Sequence, residues 1–252
     1  MIATHAAFPM YDFPELAKAH ERFWRAVVAN ARAAGFNGEV PLTQICGYPL
    51  IRSLGTAHDV VAAPQYDVPF CEGTTHRAII VVTSESKHAR LDDLRDTCFA
   101  VNARDSNTGM NLPRRLVAPL ARRGRFFRQV VITGSHAASL EAVANGNADA
   151  ASIDCVTFRL LAEHRPHAVA RVRTLAVTAP SPTPPFVVPR AAGSRAKTLL
   201  YDALAAAGED PRLADARRAL HLTSIAHARP DWYSALLEHE NEAAALGYAV
   251  LA

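Results

Sequence analysis

Apolar positions along this chain follow two alternating rhythms. Over residues 14–34, Leu16, Phe23, Val27 and Ala31 fall at the spacing of one helix face, which predicts an early helix. Short apolar runs flank it: one near residues 2–7, one near Val40 that leads to a turn with Gln44, Gly47 and Tyr48, and one over 59–63. Residues 76–83 contain Arg77-Ala-Ile-Ile-Val-Val, a continuous apolar run suited to a strand covered on both faces. Three βα units follow between Leu91 and Leu161, with strands expected near 98–102, 130–133 and 148–153, each leading into a helix. A last strand over 172–178 runs into the proline-dense stretch 179–185, too extended for helix and read as a rigid crossover. Beyond it the pattern predicts helices over 195–207, 211–219 and 231–246.

This alternation predicts an α/β protein of two lobes. Residues 77–176 hold enough strands for a sheet of their own, and residues 1–76 would take residues 177–252 as partner to complete the other lobe. The strand at 77–83 and the strand before the prolines are the natural crossovers. In such folds ligands sit at the carboxyl ends of strands, in the cleft between lobes.

A length of 252 residues and 50% hydrophobic content are enough to bury a substantial core. The net charge of +3 is a mild excess spread along the chain. Its densest basic piece, Arg114-Arg115 followed by Arg122-Arg123-Gly124-Arg125, lacks the aromatics or recognition helix of a nucleic-acid reader and is read as a solvated face. Cys46, Cys71, Cys98 and Cys155 show no C-x-x-C spacing, so neither a zinc ribbon nor a redox pair is expected; a Cys46–Cys71 bridge is conceivable. The eleven histidines form no tight ligand pattern, and no metal or cofactor is expected. No stretch of about eighteen apolar residues and no export-signal pattern occurs, so no membrane insertion is expected. The chain would be periplasmic if a signal was removed, and otherwise cytoplasmic.

Candidate chemistry concentrates at three strand ends. Asp105-Ser106-Asn107-Thr108-Gly109-Met110 turns a strand into a helix, offering hydroxyls and unpaired backbone N–H groups to an oxyanion. Pro113 disfavours a helix interior and moves the expected helix start toward Asn111, leaving Ser106 to Gly109 as a loop. Next, Thr133-Gly134-Ser135-His136 opens a helix with His136 and Ser139 on one face. The third strand ends in Asp154.

Taken with Gly146-Asn-Ala-Asp149-Ala-Ala-Ser-Ile-Asp154, these motifs resemble the phosphonate-type substrate-binding proteins of ABC transporters, which have the type II periplasmic binding protein fold. The resemblance covers most of the chain and is densest between Leu91 and Thr178. It implies that Ser106, Asn107, Thr108 and Gly109 grip a small phosphonate- or phosphate-like anion, that His136, with Ser139 beside it, reaches the oxyanion, and that Asp154 meets a ligand amine or hydroxyl. Tyr11 and Tyr48 would close over the ligand from the first lobe, and an ABC permease would be the partner.

Each residue also has a plainer role open to it. Ser106, Thr108 and Asp154 fit helix caps, His136 and Ser139 fit internal hydrogen bonding, and Tyr11 and Tyr48 fit packing. Ser106, His136 and Asp154 are in addition the residue types of a nucleophile, base and orienter, so a cytoplasmic enzyme or sensor acting on a small phosphorylated or carboxylated metabolite stands as the alternative, although no G-x-S-x-G elbow is present.

Overall fold

The computed structural model describes residues 9–37 and 39–252, so the strand expected at residues 2–7 lies outside the described residues. In chain order come helix α1 (Ala17–Ala33), strand β1 (Thr43–Gln44), the short helix α2 (Gly47–Pro49) and strands β2 (His58–Tyr66), β3 (Thr75–His76) and β4 (Ala78–Thr83). Then follow β5 (Cys98–Val101), α3 (Leu112–Val117), β6 (Gln129–Ile132), α4 (His136–Ala144), β7 (Ala150–Asp154), α5 (Cys155–His164), α6 (Pro166–Val169), β8 (Val172–Val177) and β9 (Ser181–Pro182). The chain closes with β10 (Phe186–Pro189), α7 (Gly193–Glu209), α8 (Ala214–Ala219), β11 (Leu222–His227) and α9 (Pro230–Ala245).

These elements form two compact units. The first comprises the described residues up to Thr75 together with Pro182–Tyr233; the second is His76–Ser181 with Ser234–Ala252. Strands β3 and β9 lie at two of the passages between units, and the chain passes a third time within α9.

Unit 1 holds an antiparallel sheet in the order β1-β10-β2-β11. Helix α1 turns His20, Phe23, Trp24, Val27 and Ala31 inward and packs along α7 and α8. Strands β10 and β11 fall between the elements that the apolar pattern predicts, β10 after the 179–185 crossover and β11 between the helices at 211–219 and 231–246. In β10 the run Phe186-Val187-Val188 is too short to show a period, and in β11 only Leu222 and Ile225 are buried, so neither displays the alternation of a half-buried strand.

Unit 2 holds a five-stranded sheet in the order β6-β5-β7-β4-β8. Strand β5 runs parallel to β6 and β7, whereas β4 is antiparallel to both β7 and β8. The β-branched run of β4 is buried through Val82, as a strand covered on both faces requires. In β7 the small side chains Ala150, Ala151 and Ser152 let helix α4 and the Asn107–Asn111 turn pack closely on the strand. Phe99 stacks on Phe127 with ring centroids 4.3 Å apart, and Phe126 meets Phe127 edge-on at 4.9 Å. Each such ring pair adds about 0.5–1.5 kcal/mol to the burial of its apolar area.

Residues 234–252, grouped by sequence with the first lobe, belong by contact to unit 2. Ala252 O accepts from Phe126 N–H at 2.7 Å and Phe127 N–H at 2.9 Å, and Tyr248 and Leu251 enter the aromatic core. Among the described residues no helix is long and apolar enough to cross a membrane.

Candidate functional site

Because β5, β6 and β7 are parallel, their carboxyl ends share one edge of the unit 2 sheet, and three helix starts leave from it. All three are capped by a side chain. Ser106 Oγ accepts from Gly109 N–H at 3.0 Å, Ser135 Oγ from Ala138 N–H at 3.0 Å, and Asp154 Oδ1 from Thr157 N–H at 2.9 Å.

The first of these starts differs from the expectation. Helical structure begins at Asn107, not near Asn111, and its opening turn, Asn107–Asn111, is π-helical: Asn111 N–H donates to Ser106 O at 3.0 Å and Leu112 N–H to Asn107 O. In that wider register the next donor, for Thr108 O, would be the nitrogen of Pro113, which carries no hydrogen. Ser152 Oγ supplies the missing donor and bonds Thr108 O at 2.5 Å. The proline that argued for a loop is instead accommodated by a bonded turn.

The turn is also held from behind. Asn107 Nδ2 donates to Ser181 Oγ at 2.6 Å, and Asn107 Oδ1 accepts from Asn111 Nδ2 at 3.2 Å. Asn111 reaches Leu236 O at 3.0 Å, and its Oδ1 accepts from Arg114 at 2.6 Å. Arg114, read from sequence as part of a solvated face, is therefore a buried strut, with a second bond to Ala249 O at 2.9 Å. At Gly109 a Cβ would collide with the Asn102 side chain, so any larger residue there requires Asn102 to move.

Thr108 and His136 meet, with Oγ1 3.1 Å from Nε2, while His136 Nδ1 lies 3.2 Å from Ser152 O. Burial pushes the His136 imidazole below its ordinary value of 6.5, against the opposing pull of the Asp154 carboxylate and the Ser152 carbonyl. Ser139 is fully buried beneath the second turn. Its hydroxyl lies 2.6 Å from Thr133 Oγ1, whose single hydrogen is shared between Val101 O and Ser135 O, each at 3.1 Å, so Ser139 steadies the turn that presents His136.

Asp154 is 3% exposed, and its Oδ2 lies 2.8 Å from His76 Nδ1. Burial alone would raise its carboxyl, but His76, His136 and the Thr157 N–H outweigh burial and the net direction is down. Both carboxylate oxygens thus have partners, one in His76 and one in the α5 cap.

Tyr11 and Tyr48 belong to unit 1 and both are buried. Tyr11 sits edge-on to Tyr66 with centroids 5.4 Å apart, and Tyr66 Oη accepts from Gln44 Nε2 at 3.1 Å. Tyr48 Oη accepts from Arg52 at 3.2 Å. Gln44, Tyr66 and Tyr11 thereby form one polar aromatic cluster, with Tyr48 on the neighbouring α2. Cys46 and Cys71 are not joined by a disulfide, so the conceivable bridge between them is absent. Among the described residues no group of three or more His, Cys, Asp or Glu is arranged to hold a metal ion.

Sequence reasoning passed over Asn102, Ser152 and His76. Two carried a signal: Ser152 is the one hydroxyl inside an alanine-rich buried strand, and His76 stands two residues before an apolar strand.

The sequence model described as ABC transporter, phosphonate, periplasmic substrate-binding protein matches residues 18–233. No curated protein sequence matches the chain. Among solved structures, the binding protein component of an ABC phosphonate transporter (PA3383) from Pseudomonas aeruginosa is similar with a TM-score of 0.70 at 14% identity, over 89% of this chain and 74% of that one. XAC2383 from Xanthomonas citri bound to ATP gives 0.67 at 16% identity, covering 88% and 91% of the two chains. PhnD1 from Prochlorococcus marinus in complex with methylphosphonate gives 0.66 at 12% identity, covering 87% and 82%. These likenesses establish the fold of the periplasmic binding proteins.

Proposed function

Since the chain belongs to the phosphonate family of periplasmic substrate-binding proteins of ABC transporters, we propose that it captures a small phosphonate- or phosphate-like anion on the Ser106–Gly109 turn. The observation that carries this reading is the convergence of that turn, His136 and Asp154 at one edge of the unit 2 sheet. Ser106 Oγ and Thr108 Oγ1 are the hydroxyls assigned to the anion, and His136 stands behind Thr108 as its hydrogen-bond partner. Gly109 allows the backbone to pack close, and Asn107 anchors the turn.

Largely neutral donors suit a carrier. Hydrogen bonds from buried groups discriminate between ligands through the penalty for leaving any of them unmade, while release needs no fixed cation to be stripped from the anion. The reading places the protein in the periplasm, handing its ligand to an ABC permease. Asp154 is assigned to ordering this edge through His76, in place of direct capture of a ligand ammonium, so unsubstituted and alkyl phosphonates are the expected ligands.

Calorimetric titration with phosphate, phosphite, methylphosphonate, sulfate and small carboxylates tests the assignment. Saturable binding of one phosphorus oxyanion class is expected, lost in the Ser106→Ala/Thr108→Ala double variant. Undiminished affinity in that variant would remove the turn from the site.

A further inference from the structure

We propose that anion capture on the Ser106–Gly109 turn is coupled to the uptake of one proton by His136, with the Thr108 hydroxyl turning from the imidazole to the ligand as that proton arrives. This rests on the oxyanion-binding reading above and deepens it.

The argument follows from which atoms can donate. His136 Nδ1 lies 3.2 Å from a backbone carbonyl oxygen, Ser152 O, which can only accept, so Nδ1 carries a hydrogen. In a neutral imidazole Nε2 is then an acceptor, and its partner at 3.1 Å, Thr108 Oγ1, has to be the donor. Thr108 has a single hydroxyl hydrogen. While His136 is neutral that hydrogen is committed to Nε2, and Thr108 presents lone pairs to anything approaching the turn, which repels an anion. A second proton on His136 reverses the bond: Nε2–H donates to Thr108 Oγ1, and the threonine hydrogen is released toward the ligand. The new positive charge sits one hydroxyl away from the bound anion.

The geometry does not have to rearrange for this reversal. Ser152 clamps both partners, its carbonyl accepting from His136 and its hydroxyl donating to Thr108 O at 2.5 Å, so only hydrogens move. In the free protein burial favours the neutral imidazole. Two titratable groups face His136 from the elements packed against it. Asp154, at the end of β7, favours the protonated ring, and His76, in β3, opposes it; the His76–Asp154 pairing at 2.8 Å moderates both. An anion on the turn adds to the Asp154 side of that balance and draws the proton in.

The test uses the intact protein with methylphosphonate as probe at pH 7.5. Imidazole 15N NMR reads His136 Nε2 directly, and the expected result is a shift from the unprotonated to the protonated range on saturation. Calorimetry in two buffers of different ionisation heat should report uptake of about one proton, and the affinity should fall about tenfold per pH unit over the range where uptake is complete. In His136→Gln the uptake should vanish. Saturable binding with Nε2 still unprotonated, or proton uptake that persists in His136→Gln and so belongs to the probe, would overturn the coupling and leave the oxyanion site standing. Absence of binding to any phosphorus oxyanion at pH 5.5 as well as pH 7.5 would overturn the site itself and the coupling with it.

Discussion

Two serine-capped turns leave the same edge of the unit 2 sheet, one at Ser106 and one at Ser135, and their local chemistry is nearly the same. Each serine accepts a backbone N–H three residues ahead, at 3.0 Å in both cases. Their surroundings are not alike. Ser135 is exposed and opens a regular α-helix, whereas Ser106, Asn107 and Thr108 are all buried and open a π-helical turn. A wide turn at the helix start releases one carbonyl, Thr108 O, which ties the turn to Ser152, and Ser152 in turn holds His136. The difference teaches that a cap becomes a candidate binding element when tertiary contacts fix it from behind and bring a titratable group, here His136, against its hydroxyl.

Substitutions at the two turns should therefore separate. The largest effect is expected for Ser106→Ala with Thr108→Ala: hydrogen bonds to a charged group contribute about 1.5–3 kcal/mol each, so methylphosphonate affinity should fall by roughly 100-fold or more in calorimetry. The matching change at the other turn, Ser135→Ala, should lower unfolding stability in urea by about 1 kcal/mol as a lost cap and leave the affinity at the level of the unchanged protein. Equal loss of binding in both would erase the contrast.

Removing the carboxylate of the third turn is next in size. Asp154→Ala strips a buried charge from His76 and a cap from α5. Loss of one partner of a buried pair costs about 3–5 kcal/mol, to be read as a drop in the urea midpoint at constant slope. A change below about 1 kcal/mol would show that the pair is not buried as described. Gly109→Ala ranks below it, with strain of about 1–3 kcal/mol as the new methyl meets Asn102, and Asn102→Ala in the same chain should restore part of the loss.

The smallest effect is a pH dependence. The folded His136 takes its proton below 6.5, while the unfolded chain takes it near 6.5. Its contribution to stability is thus complete above that value and is lost as pH falls through the folded pKa. Asp154, also held below its ordinary 3.8, adds a second loss at still lower pH. Urea unfolding between pH 7.5 and 5 should show declining stability whose slope is reduced in His136→Gln, and an unchanged slope would place the titration elsewhere.

The sequence by itself determined much of this protein. The apolar run of β4, the three strand–turn–helix units of unit 2 and the residues at their turns are local patterns, since period, cap and turn chemistry depend on neighbours within a few positions. Strands β10 and β11 escaped because each is a short run whose partner, β2, is distant in sequence, and such pairing leaves no local period. Pro113 read locally as a reason to start the helix late; only the Ser152 hydroxyl, supplied by another strand, made the wide early turn satisfied. The same holds for Thr108 with His136, His76 with Asp154, and the burial of Arg114 beneath Ala249. These were decided by tertiary structure, because a hydrogen bond between side chains on different strands depends on sheet order and register, and those follow from the whole packed core.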